Sequence, residues 1–148
     1  MKQNIFSNII KQQILLLVFL FFSFISAYTQ HLIGENKQDI KLLMKEKYPL
    51  FYLDASIINK KINYLKYVDR YEEQTLLIFL SEDDICTYTQ LLSEYSYLKD
   101  ISMDLNKKYE NKGDTLWLYS VEDVEFVIEL KKLDWYFTLT IRKKKDIK

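Results

Sequence analysis

Apolar and polar positions divide the chain into one unbroken apolar block near its start and a longer region of strand-like and helix-like patterns. From Ile14 to Ile25 only Ser23 interrupts the apolar residues, and the first 29 residues contain Lys2 and Lys11 but no acid. This arrangement predicts a secretory signal peptide over residues 1–29, with small residues at Ala27 and Thr29 before the cut and cleavage after Ala27 as the alternative. A helix over the apolar run would reach about 18 Å against a hydrocarbon core of roughly 30 Å, so no stable membrane span is expected after cleavage.

Past the leader the periodicity becomes that of a folded domain over residues 30–148. Asn36 stands as an N-cap with Asp39 three positions on, followed by Ile40, Leu43, Met44 and Lys47 at helical spacing, and Pro49 stops the helix near Lys47 or Tyr48. Residues 61–69 predict a strand through Ile62, Tyr64, Leu65, Tyr67 and Val68, and a polar turn from Arg70 to Gln74 follows. The continuous run Leu76 to Leu80 predicts a central strand buried on both faces, and Ser81 to Asp84 turn the chain into a third strand from Ile85 to about Leu91.

A second helix is expected from about Ser96 to Lys112, because Leu98, Ile101, Leu105 and Tyr109 share one face, with Gly113 as a left-handed C-cap. Leu116–Tyr119, Val124–Leu130 and Trp135–Ile141 complete the set as strands. The fold class predicted is α+β: an antiparallel sheet of about six strands with two helices on one face, in the order α-β-β-β-α-β-β-β. That order reads as two αβββ units, although no residue-level repeat accompanies it. The basic run Arg142 to Lys145 is expected to be a frayed, solvated end.

Charge and cysteine content narrow the partners. Removing 29 of 148 residues leaves 119, and the loss of Lys2 and Lys11 leaves 19 basic residues against 21 acidic ones, a formal charge of about −2. So small an imbalance gives no electrostatic footprint for nucleic acid or an anionic membrane surface. Cys86 is the single cysteine, so no intrachain disulfide can form, and its strand-like surroundings predict a buried, inert thiol.

Candidate chemistry is sparse. The one histidine, His31, lies beside the new N-terminus, where it cannot serve as a preorganised base, so no histidine-dependent triad is expected. The common metal-ligand, dinucleotide and phosphate-loop spacings do not occur, and Gly34 and Gly113 are the only glycines available to a backbone loop. Glu82, Asp83 and Asp84 read as a solvated turn rather than a calcium loop. No catalytic residue, metal site or cofactor is therefore assigned.

Seventeen aromatic residues follow the leader, eleven of them tyrosine, a residue that suits both strands and recognition surfaces. In 135–141 the alternation points Trp135, Phe137, Leu139 and Ile141 inward, and in 124–130 it points Val124, Phe126, Ile128 and Leu130 inward. Tyr136 is then expected on the open sheet face beside Glu125 and Glu129, joined by Trp117 or Tyr119, as a candidate binding surface.

The segment Gly34-x-Asn36-x-x-Asp39-Ile40, with Tyr48-Pro49 closing its helix, resembles the opening helix of β-lactamase-inhibitor-protein-like modules and of the small lipoprotein of the outer-membrane β-barrel assembly machinery. Asp84-Ile85-Cys86 and Leu105-x-x-x-Tyr109-x-x-x-Gly113-x-x-x-Trp117 resemble uncharacterised small exported proteins of bacteria with outer membranes. Export, sparse chemistry and an aromatic sheet together predict a non-enzymatic protein-binding module, periplasmic or secreted, of an inhibitor, immunity or envelope-accessory type. Its expected partner is another envelope or extracellular protein. A carrier of a small apolar ligand and an unrecognised carboxylate-dependent hydrolase are the alternatives.

Overall fold

The computed structural model describes residues 32–56 and 62–144. The predicted leader, its cleavage sites, His31 and Lys145 lie outside the described residues.

Helix α1 (Lys37–Lys47) begins where the Asn36 side chain accepts hydrogen bonds from the backbone N–H of Gln38 and Asp39, at 3.0 and 3.1 Å. Asp39 in the first turn and Lys45 and Lys47 in the last complement the helix dipole. Strands β1 (Phe51–Leu53), β2 (Tyr64–Asp69), β3 (Gln74–Leu80) and β4 (Cys86–Ser93) follow. A short 3-10 turn, Tyr95–Tyr97, leads into α2 (Leu98–Lys108). The chain closes with β5 (Glu110–Asn111), β6 (Leu116–Val121), β7 (Val124–Lys132) and β8 (Phe137–Lys143).

The eight strands form one antiparallel sheet in the order β1-β2-β3-β4-β8-β7-β6-β5. Each half is therefore one helix followed by four strands, and the last strands of the halves, β4 and β8, pair at the centre. The α+β class and the two helices on one face stand as expected, while the sheet gains two edge strands and the order becomes α-β-β-β-β twice. β1 is three residues starting two positions after Pro49 and β5 two residues in the tail of the helical pattern, too short to show a period. β5 also ends α2 at Lys108 instead of Lys112, and Gly113, at φ +140°, belongs to the β5–β6 loop and not to a helix cap.

Ile40 and Met44 of α1 and Ile101 and Leu105 of α2 close one core with Leu65, Tyr67, Leu76, Ile78, Leu91, Trp117, Ile128, Leu139 and Ile141. β3 alternates between buried Leu76, Ile78 and Leu80 and half-buried Thr75, Leu77 and Phe79, so it is not buried equally on both faces. On the uncovered face Phe79 stacks on Tyr88 with ring centroids 4.2 Å apart. Register also corrects the last hairpin. Trp135 stands before β8 and is 87% exposed, Val124 is exposed, and Val127, expected outward, is buried between its cross-strand partners Leu118 and Arg142.

The basic tail is more ordered than expected. Arg142 and Lys143 are paired in β8, and Lys144 Nζ reaches Glu125 at 2.7 Å. The predicted turn at 81–84 is tied to the start of α1, where Lys37 Nζ lies 3.1 Å from Asp84 and Asn63 Nδ2 donates to the same carboxylate at 2.7 Å. Among the described residues no helix is long and apolar enough to cross a membrane.

Cys86 is 2% exposed, and burial pushes its thiol up to about 12. Thiolate is the reactive species, so at pH 8 only a trace of the native chain can react. The folded protein is expected to resist Ellman's reagent for hours and to release one equivalent at once in 6 M guanidinium. Rapid release without denaturant would contradict the burial.

Candidate functional site

Antiparallel pairing brings the β2–β3 turn, the end of β4 and the β7–β8 turn to the same end of the sheet, because Gln74 pairs with Ser93, Ser93 with Phe137, and Phe137 with Lys132. Three strand spacings separate the two turns, about 14 Å. Four aromatic side chains are exposed there: Tyr71 at 72%, Tyr95 at 39%, Trp135 at 87% and Tyr136 at 38%.

Hydrogen bonds hold their supports. Leu133 N–H donates to the Tyr136 carbonyl at 2.9 Å, closing the β7–β8 turn, and Tyr95 Oη donates to the Leu133 carbonyl at 2.6 Å. The Tyr95 ring leans on Phe137 at a centroid distance of 6.2 Å. On the other side Asp69, buried, accepts from Gln74 N–H at 2.9 Å, and Gln74 Nε2 donates to Ser93 Oγ at 3.1 Å. Tyr97 donates to Glu73 in the β2–β3 turn. Exposed Arg70, Glu72, Glu94, Lys131, Lys132 and Asp134 ring the aromatics with both signs of charge.

The residues expected to form a binding face are divided by this geometry. Tyr136 is at the aromatic end. Glu129 is on the open face, pairing across to Thr140 and 3.9 Å from Arg142. Glu125 is at the far end of β7, seven residues from Lys132 or roughly 23 Å along the strand, and is held by Lys144. Trp117 is buried under α2, where Nε1 donates to Asn106 Oδ1 at 2.7 Å. Tyr119 shares that covered face, stacked on Phe126 at 4.9 Å and against Tyr109 at 5.1 Å. Neither aromatic stands on the open face, because β6 has the opposite register to the one assumed.

Asp54 and Asp84 are both held below the usual carboxylate range, Asp54 by hydrogen bonds from Lys66 and Ser56 and Asp84 by Asn63 and Lys37. Both are ionised partners at neutral pH. Among the described residues no group of three His, Cys, Asp or Glu side chains could hold a metal ion.

The phenols shift the other way: hydrogen bonding to Glu73 raises Tyr97 to about 12, and burial raises Tyr109 to about 12. Their folded-state values exceed the unfolded value of about 10, so the stability they contribute is full below pH 10 and is lost as pH rises toward 12. Thermal midpoints should hold steady to about pH 9.5 and fall above it, and Tyr97→Phe should flatten the fall. A midpoint that rises with pH in this window would contradict the assignment. Comparison with family models, with curated proteins and with solved structures found no match to this chain.

Proposed function

We propose that the chain is an exported, non-enzymatic protein-binding module of the inhibitor, immunity or envelope-accessory kind, acting in the periplasm or outside the cell. Its contact surface is the aromatic end of the sheet. The observation that carries this reading is Trp135, 87% exposed in a turn whose backbone is pinned from two sides. Exposing an indole forgoes the 1.5–3 kcal/mol or so that burying a large apolar side chain returns, and a rigid mount removes much of the ordering cost of binding. Exposed tryptophan and tyrosine ringed by mixed charge is the composition of a protein–protein hot spot. Tyr71, Tyr95 and Tyr136 widen it to a patch about 14 Å across, within the half of a standard interface that one partner contributes. The export part of the reading rests on the leader composition.

The test is affinity capture from the producing cells with wild-type bait and a Trp135→Ala, Tyr136→Ala bait of equal thermal stability. A discrete partner retained by the first and lost by the second supports the reading. Equal retention by both removes this end of the sheet from the interface.

A further inference from the structure

Between α1 and the edge of the sheet lies an open cavity of about 380 Å³, lined by Lys41, Lys45, Pro49, Phe51, Leu53 and Tyr67. Its volume falls in the range of small-molecule sites. The lining divides by chemistry. Phe51, Leu53 and the Tyr67 ring supply an apolar floor, and Leu53 is left 42% exposed although nothing polar is on its side chain. Lys41 and Lys45, four residues apart, present two ammonium groups on the same side of α1. Neither is in an ion pair among the described residues, although the Lys41 charge helps lower Asp84, which Lys37 one turn earlier bonds directly.

Tyr67 adds an independent observation. Its ring is buried, and its hydroxyl is not one of the fully enclosed polar atoms left without a partner, which among the described residues are Thr89 Oγ1 and Tyr119 Oη. Tyr67 lines the cavity, and desolvation raises its pKa, so its hydroxyl remains an O–H donor there. Two cations outside any ion pair and one phenol donor around an apolar floor are complementary to an anion carrying an apolar body.

We propose that this cavity binds a small amphipathic carboxylate, its apolar chain seated on Phe51, Leu53 and Tyr67 and its headgroup held by Lys41, Lys45 and the Tyr67 hydroxyl. Phe51 pairs with Asp69 beside the β2–β3 turn, so the site adjoins the aromatic end, but its small-molecule test stands or falls independently of the proposed protein contact. The cations act here through a charge-assisted hydrogen bond to the headgroup, while the floor accounts for most of the buried area.

The experiment titrates the full chain with octanoate, octanol and acetate, followed by amide chemical shifts. Octanoate should saturate one site, perturb residues of α1 and β1, and bind at least tenfold more tightly than octanol, while acetate should not saturate. Lys41→Gln, Lys45→Gln should abolish the preference for octanoate over octanol with an unchanged thermal midpoint, since both side chains project from the helix surface. Tyr67→Phe, which keeps the ring, should weaken octanoate at least threefold and leave octanol unaffected. Octanoate binding no tighter than octanol, a preference that survives the double substitution, or no saturable binding would each overturn the proposal.

Discussion

Replacing Trp117 by alanine is expected to lower the thermal midpoint by about 10 to 20 °C, whereas Trp135→Ala should leave it nearly unchanged. The two indoles have the same chemistry and opposite surroundings. Trp117 is 1% exposed, packed under α2 with its Nε1–H donated to Asn106 at 2.7 Å. Truncation there removes a large buried volume and the hydrogen bond to Asn106, whose Oδ1 keeps its bond from Asn111 Nδ2, a loss of about 3–5 kcal/mol for a buried Trp→Ala change. Against a total stability of roughly 5–15 kcal/mol this is a large fraction. Trp117→Phe should retain most of the packing and cost about 1–2 kcal/mol, chiefly the hydrogen bond. Trp135 has little to lose, and a surface truncation falls within about 0.5 kcal/mol. Differential scanning calorimetry of the three variants checks this, and comparable destabilisation by both alanine changes would contradict the placement of Trp135.

The second large effect concerns binding. Trp135→Ala is expected to weaken capture of the partner by at least 30-fold, corresponding to about 2 kcal/mol for a central aromatic anchor, and adding Tyr136→Ala should exceed 100-fold. Tyr95→Phe is the informative companion, since it keeps the ring on Phe137 and removes only the hydroxyl that holds the Leu133 carbonyl. A loosened turn must be ordered again on binding, so a threefold to tenfold loss is expected without a change in fold. Glu125→Ala and Glu129→Ala, on the body of the sheet, should have no such effect. Binding-competent bait measured by surface plasmon resonance against the captured partner separates these cases.

Long or capped elements were legible from residue pattern alone. Asn36, Ile40 and Met44 define α1 because cap and apolar stripe agree, and Leu76 to Leu80 define β3 through β-propensity over a full strand length. The edge strands β1 and β5, three and two residues long, exist because neighbours offer unpaired backbone groups, a tertiary cause with no local periodicity. Trp135 fails for a related reason. Strict alternation extends back from Ile141 only as far as the chain stays extended, and the turn closed by Leu133 and Tyr136 breaks it before residue 135. Once the parity is lost, the largest apolar residue of the segment faces solvent instead of core. The aromatic end was invisible in sequence because Tyr71, Tyr95 and Trp135 are far apart along the chain and come to one end of the sheet only through the β3–β4–β8–β7 pairing.

Placing a photo-crosslinking residue, p-benzoylphenylalanine, at position 135 and separately at position 129 in the full chain tests the contact surface most directly. Both sites are exposed, one at the aromatic end and one on the open sheet face. Irradiation in the producing cells is predicted to yield one discrete protein adduct from position 135 and none from position 129. An adduct from position 129 alone, or from neither position, would contradict a protein-binding role for this end of the sheet.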